Sequence, residues 1–190
     1  MLAPLTEVNA RAERPRAMLP PQLNDPTLDS LYDVGERPIW QEAPRHAIAQ
    51  YRVSFIGINC KRHMIRFGEQ GDGSARGEVK VWNGCHKDEP YESHSFRFDK
   101  LAFAPLKEAM AEARLWQRPA TYWGSQDEDT ICIDGIDVTY ERRDLLDYRM
   151  DRANVWCSTT LEFVSAARML LIAAGDRSGL GLLPEITNDR

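Results

Sequence analysis

The chain has 190 residues, of which 43% are hydrophobic, which is enough for one hydrophobic core but too little for two. Its 24 basic and 29 acidic residues give a net charge of -5, which argues against nucleic acid as a partner. The longest apolar run, residues 169–174, is much shorter than the roughly 20 residues that cross a bilayer. We therefore expect one soluble domain without a membrane span.

The N-terminal region, residues 1–45, is rich in proline. It holds seven of the eleven prolines: Pro4, Pro15, Pro20, Pro21, Pro26, Pro38 and Pro44. Proline fixes φ and removes a backbone donor, which opposes both helices and strands. We predict a proline-rich extended arm at residues 1–45, an α+β domain at residues 46–176 and a C-terminal tail at residues 177–190. Apolar side chains between Leu28 and Trp40 predict that the second half of the arm docks on the domain.

Four segments after the arm alternate apolar and polar residues, which is the pattern of strands with one buried face. They are Tyr51–Phe55, His63–Phe67, Glu78–Trp82 and Ser93–Phe98. Residues 68–77 contain glycine at positions 68, 71, 73 and 77, and predict a hairpin loop between the second and third strands. Because this loop lies between strands, a flexible turn is favoured over a phosphate-binding loop at a helix start.

After Pro105 the apolar residues recur at the spacing of a helix, and proline suits the first position of a helix. An amphipathic helix is predicted from there to a point before Pro119. Residues 131–133 and 136–141 predict strand around an Asp134-Gly135 turn, and residues 144–152 are expected to pair back. A largely buried helix follows at residues 160–174, with Gly175 as its C-terminal cap.

Together these elements predict a single α+β domain with the order β-β-β-β-α-β-β-α. Its sheet is expected to be mostly antiparallel, with four to six strands, and to carry two main helices.

Four cysteines, Cys60, Cys85, Cys132 and Cys157, form an even set and are candidates for two disulfides. Their spacing leaves three connectivities open, and buried free thiols are an equal alternative. Disulfides are typical of exported proteins, although the first residues lack the basic and apolar regions of a secretory signal. The expected location is periplasmic or extracellular if a signal was removed from the chain, and cytoplasmic otherwise.

Zinc is one alternative for the residues Cys60, His63, Cys85 and His86, since they carry the nitrogen and sulfur ligands that zinc prefers. No Cys-x-x-Cys pair accompanies them, and a disulfide with two surface histidines explains them better. The acidic residues 127–129 do not form a calcium loop, because Ile131 occupies the third ligand position. No metal or cofactor is predicted.

A nucleophile beside a base occurs twice in the sequence, as Cys85 next to His86 and as Ser93 next to His94. Neighbouring side chains on a strand point to opposite faces, so Ser93 and His94 are not expected to share a proton. A small hydrolase or metal-dependent enzyme that uses Cys85, His86 and His94 is therefore only the alternative function.

The best candidate binding surface combines aromatic and arginine residues that are close in sequence: Trp116, Trp123, Arg149, Arg152 and Trp156. A core with arginines that extend to the solvent is the other interpretation of these residues. Because no complete catalytic motif is present, the sequence favours a noncatalytic binding or interaction module of bacterial type over an enzyme. Its ligand is expected to be a protein or a small molecule, and neither its identity nor the oligomeric state follows from the sequence.

Overall fold

The computed structural model describes residues 36, 39–40, 46–57, 60–84, 90–115, 135–156 and 161–184. Six strands and three helices lie in these residues. The strands are β1 (Ala49–Gly57), β2 (Arg62–Glu69), β3 (Ala75–Trp82), β4 (Tyr91–Phe98), β5 (Ile136–Asp144) and β6 (Tyr148–Asn154). The helices are α1 (Lys100–Glu112), α2 (Leu161–Ala174) and the short α3 (Arg177–Leu180). The predicted α+β class and the order β-β-β-β-α-β-β-α are confirmed.

All six strands form one antiparallel sheet with the order β4-β3-β2-β1-β5-β6. The first four strands follow one another as hairpins, so each lies beside its predecessor. The chain then crosses over through α1 and returns as β5 on the free side of β1. As a result β1 is central, and β4 and β6 are the two edge strands.

The hydrophobic core lies between one face of the sheet and the helices α1 and α2. The helices contribute Phe103, Leu106 and Met110 from α1 and Phe163, Leu170 and Leu171 from α2. On the sheet, the ring of Tyr51 stacks on that of Phe67 with 4.8 Å between centroids, and Phe67 meets Phe103 edge-on at 5.7 Å. These buried aromatic pairs fix α1 to the centre of the sheet.

Helix α1 begins earlier than the sequence predicts. It starts at Lys100 because the Asp99 side chain accepts a hydrogen bond from the Ala102 backbone N–H at 2.8 Å and caps the first turn. Pro105 therefore lies inside the helix and not at its first position. The prediction relied on the preference of proline for the first turn and overlooked the aspartate cap six positions before it.

The loop predicted at residues 68–77 is also shorter than expected. Strand β2 continues to Glu69 and β3 begins at Ala75, so only residues 70–74 form the turn. Gly77 lies within β3, where an added Cβ would be 2.1 Å from the carbonyl oxygen of Arg66. This glycine permits close backbone approach and does not mark a loop.

Helix α2 ends as predicted at Gly175, whose φ of 79° is favourable only for glycine. The N–H of Asp176 donates to the carbonyl of Leu171 at 2.9 Å and closes the last turn. Of the predicted tail, residues 177–184 are described, and they hold α3 and the buried Leu183. The division into arm, domain and tail stays a prediction.

None of the helices in the described part of the chain is both long and apolar enough to cross a membrane.

Candidate functional site

The face of the sheet that points away from α1 and α2 is basic, although the whole chain has a net charge of -5. Successive residues of a strand point to opposite faces, so the register fixes which side chains share this surface. Eight of them are basic and three are acidic. The basic ones are Arg52, Arg62, Arg66, Arg76, Lys80, Arg97, Arg143 and Arg152, and the acidic ones are Glu78, Asp137 and Glu141. We call this surface the basic face.

A buried ion pair occupies the centre of the basic face. Arg52 and Glu141 are opposite each other on β1 and β5, and neither side chain is exposed. The guanidinium donates twice, from Nε to Oε2 and from Nη2 to Oε1 at 2.8 Å. The hydroxyl of Tyr148 donates to the same Oε1 at 2.8 Å. The charges of Arg52 and Glu141 cancel, and their hydrogen bonds are satisfied, so the pair can be buried. We interpret it as a structural part of the fold.

Polar atoms without a hydrogen-bond partner flank this ion pair. Ser54 and Thr139 are opposite each other, both are fully buried, and neither hydroxyl has a partner within the described part of the protein. On the other side of the pair, Gln50 is opposite Arg143, and its Oε1 and the Nε of Arg143 also lack partners there. Most buried polar groups in proteins are hydrogen-bonded, so these four side chains are exceptions among the described residues.

Three arginines lie on adjacent strands at one corner of the basic face. Arg76 on β3 is directly opposite Arg97 on β4, and Arg66 on β2 lies diagonally across from Arg76. Arg76 and Arg97 are exposed and Arg66 is half-buried. None of the three forms an ion pair with any described residue. We call them the arginine corner.

Two acidic side chains lie near the arginine corner but do not neutralise it. Glu78 is opposite Arg66, yet its carboxylate contacts Lys80, with 3.5 Å between Oε1 and Nζ. Asp72 is in the neighbouring turn, where hydrogen bonds from Ser74 are the main cause of its lowered pKa and the charge of Arg97 contributes less. The corner therefore retains net positive charge.

Residues of the predicted arm lie on the basic face. The carboxylate of Glu36 pairs with Lys80 on β3 at 2.6 Å, and the ring of Trp40 is 6.2 Å from that of Tyr148 on β6. Ile39, between them in sequence, is fully buried. Burial opposes the charged form of Lys80, but the hydrogen bond and charge of Glu36 outweigh it and raise its pKa. An acidic side chain of the protein thus already occupies one basic position.

The aromatic and arginine cluster predicted from the sequence is only partly described, because Trp116 and Trp123 lie outside the described residues. Arg149 and Arg152 are three positions apart on β6 and therefore point to opposite faces. Arg152 belongs to the basic face, where its Nη2 is 2.6 Å from Asp137 Oδ2. The structure therefore does not bring these two arginines together.

Arg149 and Trp156 lie away from the basic face. Arg149 is 55% exposed, with its Nε 2.5 Å from Asp147 Oδ2. Trp156 follows β6 and is 58% exposed, and its Nε1 donates to the carbonyl of Leu182 at 3.2 Å. Their role in binding stays a prediction.

Cys60 is disulfide-bonded in the structure and has a left-handed φ of 61°. The other three cysteines, Cys85, Cys132 and Cys157, lie outside the described residues. The connectivity of the predicted disulfides therefore stays open.

His63, one of the residues considered for zinc, forms a buried pair with Asp176. Its Nδ1 is 2.7 Å from Asp176 Oδ2, its side chain has no exposed surface, and its Nε2 has no partner within the described part of the protein. Burial raises the pKa of Asp176, but hydrogen bonds from His63, Gly179 and Ser178 and the charge of His63 outweigh it and lower the pKa overall. The pair ties β2 to the turn after α2.

The residues of the alternative, catalytic interpretation are not assembled in the described structure. The Nε2 atom of His94 is 2.8 Å from the carbonyl oxygen of Ala174. Ser93 points to the opposite face of β4. Cys85, His86 and the acidic residues 127–129 lie outside the described residues. Within the described ranges, no group of three or more His, Cys, Asp or Glu side chains is arranged to hold a metal ion.

Sequence reasoning missed the arginine corner. Arg66 and Arg97 lie on the polar side of strands that the alternation predicts, but alternation alone does not show which polar side chains become neighbours. Arg76 was placed in the predicted loop and is in fact in β3. A grid of cross-strand neighbours, drawn from the predicted hairpins, would have placed Arg66 and Arg97 on one face.

Comparison of the sequence with protein-family models and with curated proteins finds no match.

Proposed function

We propose that this chain is a noncatalytic interaction module whose basic face binds an acidic segment of a protein partner. The observation that carries this proposal is the excess of eight basic over three acidic side chains on one sheet face of an acidic chain. Like charges directly opposite each other destabilise a sheet, and Arg76 opposite Arg97 has this cost. A bound carboxylate would offset it.

The accessible part of the basic face has few unpaired charges, so it suits a short acidic segment. Arg52 is neutralised by Glu141 and Lys80 is paired with Glu36, whereas Arg66, Arg76 and Arg97 form no ion pair among the described residues. Arginine presents a planar fork of donors that fits a carboxylate in two-point contact. Long polyanions such as nucleic acids are disfavoured because the net charge of -5 repels them over longer distances.

Binding of a labelled hexaglutamate peptide, followed by fluorescence anisotropy at physiological ionic strength, tests the proposal, because distant charges are screened there. The double variant Arg76→Glu/Arg97→Glu should bind at least about tenfold more weakly than the unmodified protein, since two charge-assisted contacts become repulsive. Arg149→Glu is the control, because it reverses an exposed arginine on the opposite face. It should bind within about twofold of the unmodified protein, as expected for a distant surface charge.

The reverse result would refute the proposal. If Arg149→Glu weakens binding and the double variant does not, the acidic partner contacts the cluster predicted from sequence and not the basic face. Circular dichroism of both variants shows whether either has lost its fold.

A further inference from the structure

Strand β4 is an open edge of the sheet. It runs for eight residues, Tyr91–Phe98, and seven of these are exposed or half-buried. Within the described part of the chain it pairs only with β3, so its outer backbone groups have no strand partner there. An exposed edge of this length is a template for another extended segment, which would complete its hydrogen bonds.

The open edge and the arginine corner coincide. Arg97 is on β4 itself, and Arg76 lies directly behind it on β3. On the same face of β4, Ser93 and Ser95 are exposed and small, so they leave room for the side chains of an added strand. A residue opposite Arg97 on such a strand would be roughly 5 Å away, which is within reach of its guanidinium.

We infer that the partner is an extended acidic segment that adds to the sheet as a strand alongside β4 and places a carboxylate opposite Arg97. This inference rests on the proposed function and names the geometry by which the partner binds. Backbone hydrogen bonds to β4 would supply affinity, and the arginine corner would supply selectivity for acidic sequences. A segment with lysine or arginine opposite Arg97 would be rejected, because like charges there are repulsive.

Strand β4 of a second copy does not meet this requirement. The side chains of β4 on the basic face are Tyr91, Ser93, Ser95 and Arg97, and none of them is acidic. An antiparallel β4 from another copy, with its helices on the same side, would therefore offer no carboxylate to Arg97. Strand β4 of a second copy is therefore not the partner.

Three labelled peptides of eight residues, acetylated and amidated, separate backbone pairing from charge. One alternates glutamate with threonine, one alternates lysine with threonine, and one alternates glutamate with proline, which lacks the backbone donor. By fluorescence anisotropy the Glu/Thr peptide should bind at least about tenfold more tightly than either of the others. It should also slow amide hydrogen exchange in residues 91–98.

Variants of Arg97 complete the test. Arg97→Glu should weaken binding of the Glu/Thr peptide more than Arg97→Lys does, because lysine keeps the charge but loses the two-point contact. Equal binding of the Glu/Thr and Glu/Pro peptides would overturn strand addition and leave the proposed function standing. Failure of both acidic peptides to bind, or tighter binding of a single-stranded oligonucleotide that depends on Arg97, would overturn both.

Discussion

Arg76 on β3 and Arg97 on β4 are directly opposite one another, and neither forms an ion pair within the described structure. Two like charges at this spacing lower the stability of a sheet. By contrast, the buried Arg52 on β1, three strands away from β4, forms an ion pair with Glu141. Arg142 and Arg149 are also opposite each other, but they pair with Asp144 and Asp147. Arg76 and Arg97 have no such acidic partner among the described residues, so a bound partner can relieve their repulsion.

Charge reversal at this corner should stabilise the free protein while it weakens binding. Arg97→Glu places an acid opposite Arg76, and the free energy of unfolding should rise by about 0.5 kcal/mol. Urea unfolding measures this change. Arg97→Lys is the control and should leave the midpoint unchanged. A loss of stability in the glutamate variant would show that Arg97 has a stabilising role in the fold.

The central ion pair should be costly to break. Glu141→Gln leaves the buried Arg52 without a counter-charge, and we expect a loss of about 3 kcal/mol in the free energy of unfolding. Tyr148→Phe removes one hydrogen bond to the same carboxylate and should cost about 1 kcal/mol. If both variants unfold at the same urea concentration as the unmodified protein, the pair contributes nothing to stability.

The ion pair of Glu36 and Lys80 should lose its contribution to stability at alkaline pH. The pKa of Lys80 is raised in the folded protein, so the pair stabilises the fold fully below pH 10.5, the ordinary pKa of lysine. Its contribution is lost as the pH rises through the higher folded value. Urea unfolding between about pH 8 and pH 11, a range that includes the ordinary pKa of lysine, should show this loss in the unmodified protein and a smaller one in Glu36→Gln. Identical pH profiles would contradict the pairing.

The pair of His63 and Asp176 predicts an effect at acidic pH. The pKa of Asp176 is lowered in the folded state, so its contribution is present above pH 3.8 and is lost as the pH falls through the lower folded value. Asp176→Asn should be less stable than the unmodified protein at neutral pH, and the difference should shrink in acid. Ser178→Ala keeps the bond to His63 and is the control. A difference that does not change with pH would exclude an ionic contribution from Asp176.

Much of the fold follows from local pattern. The alternation in Tyr51–Phe55 and His63–Phe67 predicts neighbouring hairpin strands, and Gly175 ends α2 where a left-handed residue is needed. The predicted ends of helices and strands were less accurate. Asp99 and Gly77 act through contacts that the spacing of apolar residues does not reveal. The capping bond to Ala102 and the close approach to Arg66 are properties of the folded chain.

The candidate site could not be predicted in the same way. Arg149 and Arg152 were chosen because they are close in sequence to tryptophans, but strand alternation separates them onto two faces. Arg76 and Arg97 are 21 positions apart and meet only because β3 pairs with β4 in one particular register. Alternation identifies the polar side of each strand, whereas the register decides which polar side chains become neighbours.

Whether the arginine corner selects an acidic partner is tested most directly by reversing the charges of the protein and of the peptide. The unmodified protein and Arg76→Glu/Arg97→Glu are each titrated with the Glu/Thr and the Lys/Thr peptide, and the four dissociation constants are compared. The unmodified protein should prefer the glutamate peptide, and the variant should prefer the lysine peptide. If both proteins show the same preference, the arginine corner does not select the partner.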